Sequence, residues 1–291
     1  MPSRTIIAGI SFTDVSSVLA VLEHRQEEVG LLFLDEYNRD NDREEFWYLR
    51  PIVDFLDQHH TRIQQVNIAL DGRGLVLLHC LLDDTLTQSE RNEHLQWELS
   101  HYIGSYKPNE YINDVHILET DPQAHVQRVL AVAVRRNVIF GLQNFLSERK
   151  QALGIVDVNH FATASALIRN HPEVGGAMCA SIGAHLSRVD VSILDNGHMV
   201  EYRYSSGSNE AMIRSFLGEV LDQFSVAGVY LHGTTLTHEQ ETMIKSLVKQ
   251  PTAVLNPFRR LVVSHDFLTF DRYLKEPFRF AAAVGIALRT S

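Results

Sequence analysis

Cysteine is scarce: Cys80 and Cys179 are the two in 291 residues, and neither has the spacing of a metal site or a disulfide framework. Both lie in apolar surroundings, the setting of buried free thiols. Long hydrophobic runs are lacking too. Nothing approaches the roughly 20 apolar residues that span a bilayer, and Met1-Pro2-Ser3-Arg4 leads straight into a strand-like segment without the apolar core of a signal peptide. A cytoplasmic protein is expected. Positive charge is also short, with 26 Lys and Arg against 36 Asp and Glu for a net charge of −10. Such a chain repels phosphate backbones and anionic lipid, so neither nucleic acid nor direct membrane insertion is expected. Gly-x-Ser-x-Gly, a phosphate loop ending in Gly-Lys-Ser/Thr, Gly-x-Gly-x-x-Gly and His-Glu-x-x-His are all absent. Their absence removes support for hydrolase, P-loop, dinucleotide and zincin readings. Among 15 histidines, His94 and His101 stand seven apart on a predicted helix and read as a solvated face, so no metal site is expected.

What is present is globular: 45% of residues are apolar and 21% charged, enough for one large core or two lobes. Residues 5–10, 17–24 and 28–34 read as an antiparallel meander rich in Val, Ile and Leu. Residues 43–60 then place Phe46, Leu49, Val53 and Leu56 at helical spacing, and residues 66–70 read as a buried strand. This β-β-β-α-β unit resembles one half of an actin-like protein. Residues 75–134 read as a β-α-β-β insertion, its helix opened by Thr87 with Glu90 three residues on, a capping box. A helix over 136–151 follows. The second half is expected to begin at 154 and to repeat the meander over 175–205, with Asn196-Gly197 as a type I′ hairpin turn. Helices over 210–224 and 237–248, a strand at 226–232, a short strand near 253–255 and an apolar helix over 279–288 complete it. The expected division is therefore a first lobe over 1–153 and a second over 154–291.

Two segments, 6–18 and 179–194, have the build of the paired phosphate hairpins of a split-domain kinase or ATPase: an apolar strand, then a Gly/Ser/Thr turn. In a working pair a carboxylate at the strand end holds hydrated Mg²⁺ and the turn brings backbone N–H groups to the phosphates. Here Ser11 and Ser181 stand where an acid is wanted, beside Gly9, Thr13 and Gly183. Asp14, Asp157 and Asp190 are the nearby acids that could substitute. Asp14 reads first as turn chemistry, and Asp157 as the cap of the following helix.

Four places go together: Trp97-Glu98 followed by Tyr102-Ile103; the stretch from Val132 to Val138 continuing through Leu153-Gly154-Ile155-Val156-Asp157-Val158 to Phe161-Ala162; the two hairpins; and Asn256-Pro257-Phe258 with the ending from Phe280 to Arg289. In this order they resemble the PilM family of type IV pilus assembly proteins, of actin-like fold and related to the cytoplasmic domain of the type II secretion L protein. The departures are as informative. Gly104 replaces the family's Pro, Ser11 and Ser181 replace its Asp residues, and Thr13 replaces a Gly. Leu231-His232-Gly233-Thr234-Thr235 stands for Leu-Ser-Gly-Gly-Gly, and residues 206–225 have room for one helix where the family roofs the nucleotide base.

The resemblance implies a non-enzymatic cytoplasmic scaffold at a pilus or secretion platform, with no catalytic residue and no cofactor. Its partner would be a short cytoplasmic peptide of a bitopic, PilN-like membrane protein, held between the first lobe and the insertion. Gly9, Ser11, Thr13, Asp14, Asp157, Ser181, Gly183, Gly233 and Thr234 are the degenerate cleft positions. Trp97, Tyr102 and Tyr106 are the partner-binding candidates, because aromatics dominate interface hot spots. Trp97 filling the core of the insertion is the competing reading. The rival functions are an actin-like ATPase or small-molecule kinase using Asp14, Asp157 or Asp190, and a self-assembling filament.

Overall fold

The computed structural model describes residues 4–26, 28–39, 46–59, 61–185, 187–207, 209–264, 267 and 270–290. In chain order its elements are β1 (Thr5–Phe12), β2 (Ser16–His24), β3 (Val29–Asn38), α1 (Arg50–Gln58), β4 (Gln65–Leu70), β5 (Val76–Asp83), α2 (Gln88–Tyr102), β6 (Tyr111–Asp121), β7 (Val126–Arg135), α3 (Arg136–Glu148), β8 (Leu153–Val158) and α4 (Asn159–Asn170). There follow β9 (Met178–Ala184), β10 (Arg188–Asp195), β11 (His198–Ser206), α5 (Glu210–Leu221), β12 (Gly228–His232), α6 (His238–Leu247), β13 (Thr252–Val254), β14 (Val262–Val263) and α7 (Ala281–Ala287). The helix expected over 43–60 is shorter: a 3₁₀ turn at Trp47–Leu49 leads into α1, and 43–45 and 60 lie outside the described residues.

Two compact units divide the chain, Met1–Asp71 with Lys150–Ser291, and the inserted Gly72–Arg149. The larger unit has a six-stranded sheet ordered β14-β3-β2-β1-β4-β8 and a five-stranded one ordered β11-β10-β9-β12-β13. Strands β1 and β2 are buried on both faces, which their unbroken apolar runs require. One face carries α1, with Phe55 against Phe33 at 5.0 Å. The other carries α7, Ala-Ala-Ala-Val-Gly-Ile-Ala, every residue of it buried. Such small side chains permit close approach. A Cβ on Gly9 would lie 2.2 Å from the Ala283 carbonyl oxygen, and one on Gly285 would lie 2.0 Å from that of Ala162, so β1, α7 and α4 meet backbone to backbone. At the turn joining β10 and β11, Asn196 and Gly197 take φ of 49° and 81°, as type I′ geometry demands.

The lobe boundary at 154 needs correction. β8 pairs in parallel with β4, Ile68 opposite Val156 and Leu70 opposite Val158, so it is the last strand of the first sheet. The chain end also returns to that sheet: Phe258, Leu261, Phe280 and Ala283 share a core with Val18, Leu22 and Leu34. These pairings are long-range, and nothing local in residues 153–158 announces which sheet they join. The insertion is likewise larger than expected, taking in α3. Within it the antiparallel sheet β5-β7-β6 carries α2 on one face, Leu95 packing with Cys80, Leu82, Val129 and Ala131. Thr87 and Glu90 form the capping box.

Candidate functional site: an interlobe cleft filled by its own side chains

At the β1–β2 turn the backbone is occupied with itself. Thr13 Oγ1 accepts from the amides of Ser16 at 3.2 Å and Val15 at 3.3 Å, and the Thr13 amide donates to the Ser16 carbonyl at 2.8 Å. These are the N–H groups that a phosphate hairpin would offer to an anion, and a local hydroxyl has taken them. Asn159, at the start of α4, donates to the Phe12 carbonyl at 2.8 Å and ties the strand end down. Ser11 is buried, with no hydrogen-bond partner for Oγ among the described residues, and Asp14 is exposed on the turn.

The second hairpin has committed its acid. Asp190 Oδ1 accepts from Arg188 Nε at 2.8 Å and from the Tyr202 hydroxyl at 2.5 Å, while His185 Nε2 stands 3.7 Å from Oδ2. Arg188, Asp190 and Tyr202 are all buried. Burial first, then the Asp190 carboxylate, holds the Tyr202 phenol well above its usual range. Ser181 lies opposite Ser192 in the β9–β10 register, and Ser192 Oγ meets His160 Nε2 at 3.0 Å.

Over Gly183, where backbone would have to approach a phosphate, there are imidazoles. A Cβ there would meet His160 Nδ1 at 2.8 Å, His232 Cε1 at 3.0 Å and His185 Nε2 at 3.4 Å. Burial pushes His160 down to about 3 and His232 well below its ordinary value, so both are neutral at neutral pH. The void among Asn159, His160, His185, His232 and Thr234 is about 10 Å³. One water needs roughly that much. Gly233 has φ of +140°, and a Cβ on it would lie 2.1 Å from the Ala184 carbonyl oxygen, so this glycine is fixed by backbone packing. Among the described residues no group of three or more His, Cys, Asp and Glu is placed to hold a metal ion.

Asp157, at the end of β8, meets Arg289 Nη1. The same guanidinium donates to Ser165 Oγ at 3.0 Å and to the Phe161 carbonyl at 2.8 Å. Asn67 on β4 completes this anchor, its amide donating to the carbonyls of Ile286 at 3.0 Å and Arg289 at 2.9 Å at the end of α7. Of the sequence-derived cleft residues, then, Gly183, Gly233 and Thr234 gather around the imidazoles, whereas Asp14 faces solvent and Asp157 is engaged by Arg289. His160, His232, Asn67 and Arg289 are the residues that sequence reasoning did not single out. The signal for the histidines was weak, one imidazole after the Val-Asp-Val-Asn strand end and one before Gly233.

On the insertion, Trp97 is 57% and Tyr102 56% exposed, so Trp97 does not fill the unit's core. His101 packs on the indole with centroids 4.3 Å apart. Tyr106 differs from both: it is half-buried, stacked on Tyr111 at 5.3 Å and packed with Leu99.

No protein-family model and no curated protein sequence matches the chain. Solved structures do. The chain is similar to a chain of a PilM–PilN type IV pilus biogenesis complex, with TM-score 0.80 and 16% identity over 97% of this chain and 98% of that one. It is similar to a Bacteroides thetaiotaomicron protein of actin-like ATPase fold and unknown function, with TM-score 0.53 and 14% identity over 87% and 91% of the two chains. It is also similar to the cytoplasmic domain of EpsL, an inner-membrane component of the Vibrio cholerae type II secretion system, with TM-score 0.52 and 11% identity over 87% and 89%. The fold is therefore actin-like.

Proposed function

We propose that this chain is a docking scaffold of a type IV pilus or type II secretion-like inner-membrane assembly, and that it does not hydrolyse ATP. The observation that carries the second clause is the filled cleft. Mg²⁺·nucleotide needs a carboxylate for the hydrated metal and free backbone N–H groups for the phosphates. Here Thr13 takes up the first turn, Asp190 is spent on Arg188 and Tyr202, Asp157 on Arg289, and three imidazoles crowd Gly183. The residues present do not fit that cofactor, and no catalytic step is derived through it. Support for the first clause comes from the likeness to a chain of a PilM–PilN type IV pilus biogenesis complex and to the cytoplasmic domain of EpsL, an inner-membrane component of a type II secretion system. The exposed Trp97 and Tyr102 offer an extended peptide aromatic anchors. Among the described residues no helix is long and apolar enough to cross a membrane, which suits a peripheral cytoplasmic protein reaching the membrane through its partner.

Calorimetry with cytoplasmic N-terminal peptides of the pilus-type membrane proteins of the same genome tests the reading. Binding that Trp97→Ala weakens supports it, and silence from every such peptide counts against it. A melting shift with Mg²⁺ and ATP, absent with either alone, would instead favour the ATPase or kinase.

A further inference from the structure

The void among the imidazoles is walled by polar atoms from three parts of the larger unit. Asn159 and His160 open α4, His232 ends β12 with Thr234 just beyond it, and Arg279 precedes α7. All five residues line this one space, and Asn159 Oδ1, His160 Nδ1, His232 Nε2, Thr234 Oγ1 and Arg279 Nε are each shut off from solvent with no hydrogen-bond partner among the described residues. Asn159, His160, His232 and Thr234 are at most 7% exposed. A buried polar atom left without a partner costs as much as a lost hydrogen bond or more, and cavities that stay dry are lined by apolar groups. A cavity lined in this way calls for an occupant.

The senses of these atoms select it. The Asn159 amide is oriented by its Nδ2, which donates to the Phe12 carbonyl at 2.8 Å. Turning the amide over would set two oxygens against each other, so Oδ1 is a fixed acceptor. Arg279 Nε can only donate, and the other two nitrogens of that guanidinium are held by Glu276 and Glu36. A fixed acceptor in the wall disfavours an anion, and a fixed guanidinium donor disfavours a cation. The remaining three atoms serve in either sense: a hydroxyl rotates, and a neutral imidazole nitrogen carries a proton or a lone pair. His160 is anchored through its other nitrogen, Nε2, which meets Ser192 Oγ at 3.0 Å with either atom able to donate, so that contact leaves Nδ1 open to both forms. The occupant must therefore be uncharged, able both to donate and to accept, and no larger than one heavy atom in a space of about 10 Å³. Water meets all three requirements.

We propose that one ordered water is a permanent part of this fold, donating to Asn159 Oδ1, accepting from Arg279 Nε, and completing its shell with the Thr234 hydroxyl and one of the two imidazoles. It clasps α4, the end of β12 and the turn before α7 together across the cleft. The site is independent of the docking role proposed above and would stand in a scaffold or in an enzyme.

High-resolution crystals of the full chain near neutral pH, grown with bromide in place of chloride, test it. The expected result is a single peak about 2.7–3.2 Å from at least three of the five atoms, Asn159 Oδ1 and Arg279 Nε among them, with no anomalous signal from bromide. No peak, a bromide or metal ion in its place, or a peak that misses either fixed atom would overturn the proposal. Thr234→Val supplies a second measurement in solution, because it keeps the shape of the side chain and removes the hydroxyl. With the water bound, the variant gives up a hydrogen bond, and urea titration should show the folded-to-unfolded ratio falling about fivefold. In a dry void the same change would remove a buried hydroxyl that has no partner and raise the midpoint, so an unchanged or raised midpoint would also overturn the proposal.

Discussion

Arg289→Met tests whether the tail of the chain, rather than a ligand, holds Asp157. The guanidinium is 29% and the carboxylate 20% exposed, so solvent screens the pair only in part. Its hydrogen bonds reach Asp157, Ser165 Oγ and the Phe161 carbonyl. Singly, a hydrogen bond to a charged group contributes ~1.5–3 kcal/mol, and breaking one side of a buried ion pair costs ~3–5 kcal/mol. Shared geometry makes the terms non-additive, and methionine keeps most of the apolar stem, so the expected loss is about 3 kcal/mol. In a unit of this size that lowers Tm by about 6–12 °C. Urea titrations of Arg289→Met, Asp157→Asn and the double variant give the coupling, which should reach about 1 kcal/mol or more. A single-variant loss under about 1 kcal/mol, or additive effects, would refute the anchoring argument. Arg289→Lys should fall between, because an ammonium keeps the charge and cannot span three acceptors.

Gly285→Ala drives a methyl into the Ala162 carbonyl and should cost more than the ~1–3 kcal/mol of ordinary overpacking, seen as a loss of denaturation midpoint at unchanged slope. For pH, His160 is held near 3 in the folded chain and returns to about 6.5 when unfolded, so the unfolded state binds the extra proton. Stability from this group is full above 6.5 and falls by about 1.4 kcal/mol per pH unit between 6.5 and 3. Comparing His160→Gln with the parent at pH 7 and pH 5 should show a shallower slope in the variant, and equal slopes would contradict the burial argument. Trp97→Ala should leave thermal stability within about 0.5 kcal/mol because the indole is exposed, whereas Thr87→Ala should cost about 1 kcal/mol by removing the cap of α2.

What the sequence determined by itself is local. Apolar runs gave β1 and β2, Thr87 and Glu90 the start of α2, and Asn196-Gly197 the β10–β11 turn, because each of these is a preference of a few adjacent residues. The order of such elements, with an apolar end rich in small residues, was enough for an actin-like α/β fold. That serines, Ser11 near the end of β1 and Ser181 within β9, stand where a phosphate hairpin wants an acid was legible for the same reason, since it concerns single residues in recognisable strands. Tertiary structure decided what surrounds these positions. Arg289 reaches Asp157 across 132 positions of chain, and His160 and His232 converge on Gly183 from α4 and β12. Sheet pairing decided that β8 belongs with β4, and the packing of the insertion decided that Trp97 faces outward while Tyr106 turns in. Contacts between distant residues are fixed by the cooperative burial of whole elements, and no run of neighbouring residues encodes them.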